Sequence, residues 1–155
     1  AAGQKVSNDD VVVENPKITN LQVKLLTENI ISPDQDISFE ISYDVNEDIE
    51  TYIAFSITDI DRGIWIYNDN SLDNKTSGSG RKTLTYKCSL AHLNDIKLKL
   101  QVSIRDNDDQ MIAFADSANS PVILLNRTDI EDDDKSAKDS ATGMVQRNGK
   151  WEIKE

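Results

Sequence analysis

Two stretches of strict alternation constrain this fold more than anything else in the chain. Ile37, Phe39, Ile41, Tyr43 and Val45 alternate with Ser38, Glu40, Ser42 and Asp44. Further on, Ile96, Leu98, Leu100, Val102 and Ile104 alternate with Lys97, Lys99, Gln101, Ser103 and Arg105. Successive side chains of an extended chain point to opposite faces, so each stretch reads as a strand with one dry and one wet side. The dry sides need a second layer to cover them.

Weaker copies of the same pattern lie at residues 18–26, 50–59, 63–67, 82–90, 111–115 and 121–125. Between them stand turn-formers, "SPDQD", "DIDRG", "SLDNKTSGSG", "RDNDDQ" and "DSANSP". No long window keeps a helical repeat, although "SLAHLND" is compatible with a single turn. About eight short, half-buried strands with frequent turns predict an all-β protein, an antiparallel two-sheet β-sandwich of immunoglobulin-like or jelly-roll-like type. The chain of 155 residues has the length of one domain, and its 37% hydrophobic content suffices for half-buried strands.

The sandwich is expected over residues 18–125, preceded by a linker or extension at 1–17. After residue 125 the composition changes. "NRTDIEDDDKSAKDSAT" has one isolated apolar residue and cannot offset its ordering entropy, so residues 126–142 read as an acidic flexible spacer. Residues 143–155 regain strand character through Gly143, Val145, Trp151 and Ile153. Such a strand can be exchanged with a second protomer, or it can fold into a hairpin at Asn148-Gly149.

Acidic residues outnumber basic ones by 28 to 17, a field that repels phosphate backbones and anionic lipid. Nucleic acid is therefore not an expected partner. One cysteine, Cys88, excludes an internal disulfide framework, and no leader pattern opens the chain; together these suggest a cytoplasmic protein. Catalytic signatures are missing. The single histidine, His92, reads as a surface loop residue, and Cys88 shares its face with Leu84, Tyr86 and Leu90 as a small core hydrophobe. "SGSGRKT" fails as a phosphate loop, because Arg81 intervenes where glycine and lysine must be adjacent. The acidic turns lack the spacing of a calcium loop and read as aspartates bonding their own backbone, so no metal or cofactor is expected.

What remains is a binding face, and "GIWIYNDN" at 63–70 raises the question of which side chains it shows to water. The hairpin across "IDRG" allows two registers. An even loop sets Ile57 opposite Ile66, Thr58 opposite Trp65 and Ser56 opposite Tyr67, placing the aromatics on a polar outer face with Tyr52. An odd loop with Gly63 as a bulge sends the aromatics into the core with Phe55. The even register pairs like with like and is the expectation. Exposed rings beside hydroxyls, amides and basic groups suit sugar recognition. The candidate carbohydrate-binding set is Trp65, Tyr67 and Tyr52 for stacking, with Asn68, Arg81, Lys99, Gln101 and Arg105 as polar contacts.

The order of features, "ITNLQVKLL", then "DISFEISYDVNEDIETYIAFSITDIDRGIWIYNDN", then an amphipathic strand and a spacer leading to "GMVQRNGKWEI", resembles the C-terminal domain of Wzt-type proteins. The specific points are the Phe-x-Ile-x-Asp stretch reaching Gly63 and the closing Gly143 and Trp151. Those proteins are the ATP-binding subunits of ABC transporters that export O-antigen polysaccharide. The resemblance implies a non-catalytic β-sandwich that binds the modified non-reducing end of a lipid-linked polysaccharide on the cytoplasmic side. It also implies a homodimer that exchanges its last strand and an ATPase domain upstream that joins the membrane transporter subunit. Two other readings compete with it, a calcium-dependent adhesion sandwich and a purely structural dimerisation module.

Overall fold

The computed structural model describes residues 12–13, 15–116 and 122–154. The alternation at 37–45 becomes strand β4, Asp36–Val45, which is flanked by β2, Ile18–Leu25, and β8, Gly80–Ser89. These three make the smaller sheet, in the order β2-β4-β8. The alternation at 96–105 becomes β9, Ile96–Asp106, at the centre of the larger sheet. One edge of β9 pairs with β5, Glu50–Asp59, which carries β6, Ile64–Asn70, and the short β7, Thr76–Ser77. The other edge pairs with β10, Met111–Ala115, at one end and with β11, Val122–Leu125, at the other. Short strands complete it, β1 (Val12–Val13) on β10 and β3 (Ile30–Ile31) on β11.

The order β2-β4-β8 facing β6-β5-β9-β10 is immunoglobulin-like. All eight expected strands form, with ends shifted by at most three residues. One pairing departs from the expected antiparallel plan, since β11 and β3 run parallel. Expectations for residues 1–11, 14, 117–121 and 155, which include most of the N-terminal extension and the "SANSP" turn, lie outside the described residues.

Between the sheets the dry sides of the alternating strands meet. Phe39 of β4 and Phe55 of β5 approach edge to face with ring centroids 5.1 Å apart. Leu98, Leu100, Val102 and Ile104 are fully buried beside them. Tyr43 is buried too, and its hydroxyl is satisfied across the gap by Thr51 Oγ1 at 2.9 Å and Thr76 Oγ1 at 3.3 Å. Cys88 is half-buried against this core, and His92 is exposed in the turn after β8.

The segment after residue 125 is more ordered than its composition predicts. In place of a structureless spacer it contains a short helix, Lys135–Ser140, capped by Asp134, whose side chain accepts from Ala137 N at 2.9 Å. The fully buried Asn94 organises the return of the chain. Its amide donates to the carbonyls of Gly143 at 2.7 Å and Val145 at 3.1 Å, and its oxygen accepts from Arg127 Nη1 at 2.8 Å. Val145 makes an isolated bridge to Leu93, and Gln146 bonds the loop through both its backbone and its side chain. Neither the Asn148-Gly149 hairpin nor a paired last strand forms within residues 146–154. No helix among the described residues is long and apolar enough to cross a membrane.

Replacing Asn94 by Ala strands the Gly143 and Val145 carbonyls and should cost about 1–3 kcal/mol in urea denaturation. Faster amide exchange should be confined to the 140–146 region. Asp59, also fully buried, gives the acid response. Burial pushes its carboxyl up, but the Arg62 guanidinium at 2.7 Å and the backbone N–H groups of Arg62 and Asp61 outweigh this and hold it below the usual carboxylate range. A depressed folded-state value contributes stability above the unfolded value and loses it as pH falls through the folded one. Asp59→Asn should therefore lower the melting temperature near neutrality and flatten its decline below about pH 4.

Candidate functional site

The outer face of the larger sheet is built from the alternate residues of β5, β9, β6 and β10. On β5 these are Tyr52, Ala54, Ser56 and Thr58. Across the ladder they oppose Arg105, Ser103, Gln101 and Lys99 of β9. On the other side Asn70, Asn68 and Trp65 of β6 oppose Ala54, Ser56 and Thr58. Beyond β9, Met111 and Phe114 of β10 oppose Arg105 and Ser103. The middle of this face is thus paved with small side chains, Ala54, Ser56 and Ser103, while long ones rise at its borders. The result is an open groove of about 480 Å³, with Trp65, Asn68 and Asn70 on one wall and Met111, Phe114 and Arg105 on the other.

Two bulges shape those walls. The β5–β6 ladder follows the even register next to the turn, with Thr58 opposite Trp65, and the odd one beyond it, with Ile57 opposite Tyr67. Ile66 is the inserted residue, so Trp65 turns outward at 68% exposure while Tyr67 turns inward. Both hairpin registers considered from sequence are therefore half realised. On β10 a second shift between Met111 and Ala113 leaves Met111 and Phe114 on the outer face, with Ile112 and Ala113 buried.

Of the eight predicted contacts, Trp65, Asn68, Gln101 and Arg105 come together in this groove. Gln101 is internally committed, since its oxygen accepts from Thr58 Oγ1 at 3.0 Å and its amide donates to Asp116 at 3.1 Å. Arg105 is held by two neutral oxygens, Ser103 Oγ at 3.3 Å from Nε and the Asp109 carbonyl at 3.3 Å from Nη1.

The other four need correction. Tyr67 packs into the intersheet layer, with its ring 6.2 Å from that of Phe55 and its hydroxyl 2.6 Å from that of Tyr86. Tyr52 is on the outer face but buried, and its hydroxyl donates to Asp109 at 2.7 Å. That bond, together with burial, pushes the phenol above its usual value. Lys99 is paired with Asp116 at 3.1 Å and does not line the groove. Arg81 lies on the other sheet, where its guanidinium reaches Asp44 at 3.1 Å, Ser42 at 2.9 Å and Gln22 at 3.3 Å.

Met111, Phe114 and Asn70 were not predicted. Regular alternation over "MIAFA" pairs Phe114 with Ile112, and only the bulge moves Phe114 to the wet side. Of the predicted exchange residues, Val145 is exposed beside the loop that holds it, and Trp151 and Ile153 are exposed at 102% and 88%. The acidic loops bond their own backbone as expected: Asp106 Oδ1 accepts from the N–H groups of Asp108 and Gln110. Among the described residues no three His, Cys, Asp or Glu side chains converge as a metal would require.

Compared with protein-family models and with curated proteins, the sequence matches none. Among solved structures, the C-terminal domain of Wzt matches with a TM-score of 0.63 at 10% identity, over 96% of this chain and 90% of that one. A Pseudomonas fluorescens alkylpurine DNA glycosylase, bound to DNA containing an abasic site analog, scores 0.44 at 10% identity over 71% of this chain and 30% of that one. A CARDB domain from Pyrococcus furiosus, in complex with di-metal ions, scores 0.42 at 10% identity over 74% of this chain and 92% of that one. At that level of likeness neither of these two bears on what this chain does. The chain has the fold of the C-terminal domain of Wzt.

Proposed function

We propose that the groove on the larger sheet binds carbohydrate without catalysis, and that its ligand is the modified non-reducing end of a lipid-linked polysaccharide awaiting export. The observation that carries this reading is the presentation of Trp65, an exposed indole at the wall of a groove floored by small and hydroxyl-bearing residues. A sugar ring offers an apolar C–H face for an aromatic ring and a rim of hydroxyls for amides. Trp65, with Asn68 and Asn70 along the same wall, provides both. Arg105 opposite them is oriented by neutral partners and keeps its charge for an anionic substituent. In a shallow, wet groove, single-site affinity of micromolar to millimolar order is expected.

The fold supports the same reading through the Wzt-type resemblance, which would place the domain on the cytoplasmic side of an ABC transporter, joined to its membrane subunit through the full-length protein. Homodimer formation through the C-terminal segment belongs to the same proposal. Its support is the pair Trp151 and Ile153, which the single chain leaves uncovered.

The test is calorimetric and fluorescence titration with the lipopolysaccharide glycan of the source organism, using a Trp151→Phe background so that Trp65 is the reporting indole. Trp65→Ala should weaken binding at least about tenfold, Arg105→Gln should weaken it and flatten its salt dependence, and Arg81→Ala should leave it unchanged. Unchanged binding in Trp65→Ala would remove the groove from the account. For the tail, truncation after Gln146 should turn a sedimenting dimer into a monomer while groove binding persists at single-site strength. A dimer that survives truncation would exclude the tail as its seam.

A further inference from the structure

The groove wall on β6 is an edge strand, paired along its length with β5 only. An edge strand with a bulge in it is held by a ladder on one side only. Its inward side chains add a second attachment, to the other sheet. Tyr67 and Asp69 alternate with the groove-facing Asn68 and Asn70, and both reach the same atom of the smaller sheet, the hydroxyl of Tyr86 on β8. Tyr67 Oη lies 2.6 Å from Tyr86 Oη, and Tyr86 in turn donates to Asp69 Oδ2. Tyr86 has one hydroxyl proton. With that proton directed at the carboxylate, Tyr67 must be the donor in the other bond, so the chain runs from Tyr67 through Tyr86 to Asp69. The second carboxylate oxygen, Asp69 Oδ1, accepts from Asn70 N at 2.7 Å.

We infer that Tyr86 is a positioning residue for the ligand groove: from the opposite sheet, its hydroxyl pins the inward residues of β6 and thereby sets where Asn68, Asn70 and Trp65 stand. Because side chains alternate along a strand, fixing Tyr67 and Asp69 fixes the backbone that aims the intervening residues the other way. The Tyr86 ring itself is packed independently, 4.7 Å from Phe55 and 5.6 Å from Phe39, so ring packing and hydroxyl bonding are separable. Burial, the Asp69 carboxylate and the Tyr67 hydroxyl all hold the Tyr86 phenol well above its usual value, which keeps the proton in place at any physiological pH. This inference rests on the groove reading for its purpose but not for its test.

Tyr86→Phe keeps the ring and deletes both bonds. Amide-exchange NMR should show protection at residues 65–70 falling at least about tenfold, with residues 98–104 of β9 within about twofold of the parent. In the Trp151→Phe background, the single 19F line of 5-fluorotryptophan at Trp65 should broaden or split. Asp69→Asn retains one acceptor oxygen for Tyr86 but loses the acceptor of the Asn70 N–H, so protection at 65–69 should stay closer to the parent than in Tyr86→Phe, with Asn70 left out of the comparison. If Tyr86→Phe fails to fold, Asp69→Ala is read by the same local measure. Unchanged protection at 65–70, or an equal loss at 98–104, would overturn the inference. Glycan affinity is a separate arm: it should fall in Tyr86→Phe and fall less in Asp69→Asn. A parent protein that binds no glycan would sink the groove reading while the exchange data still decide the role of Tyr86.

Discussion

The edge-to-face meeting of Phe39 and Phe55 is the contact around which the molecule is arranged. It joins the middle strand of the smaller sheet to the strand of the larger one that carries the groove, and Tyr86 and Tyr67 pack on the same pair. Burying two aromatic rings removes some hundreds of Å² from water, so this layer is expensive to disturb and fixes how the sheets face each other. With that orientation set, the opposite faces of β5 and β9 must point outward. Small residues at Ala54, Ser56 and Ser103 then leave a hollow instead of a flat wet surface.

The bulges turn a generic sandwich into one with a site. A perfectly alternating β6 would send Trp65 and Tyr67 the same way, giving either two rings in water or two in the core. One inserted residue, Ile66, divides them: one ring for a ligand, one for the intersheet layer. The shift in β10 works the other way, bringing Met111 and Phe114, which regular alternation would part, to the same outer face. Each insertion interrupts a ladder near its end, where losing regular pairing costs little.

How far the sequence announced this follows from the same physics. Strands β4 and β9 were legible because one face of each is dry and a period of two is hard to mistake. Asp36–Val45 and Ile96–Asp106 differ from the expected spans by a single residue at one end. The exposure of Arg105 was legible for the same reason, since it lies on the wet phase of a strand whose dry phase was clear, whereas that of Trp65 hung on a choice between two hairpin registers. Tyr67 was assigned to the wrong face because a bulge leaves no trace in composition. Arg81 was misplaced because closeness in sequence to the β6 loop says nothing about which sheet the next strand joins. Lys99 was offered as a polar contact because its counter-ion, Asp116, comes from beyond β10. The ordering of residues 126–146 escaped composition altogether, since it rests on Asn94, a polar residue buried by virtue of its partners, and on the half-buried Arg127.

The Asn94 latch makes the distal tail a leash of known origin. Trp151 stands five residues past Gln146, the last residue tied to the loop. Even at full stretch those links span only about 17 Å, so the backbone that carries the indole must stand inside a sphere of that radius. A neighbour docking there would be drawn up against the loop end of the sandwich, and the relative pose of two such bodies would be limited before any contact between them formed.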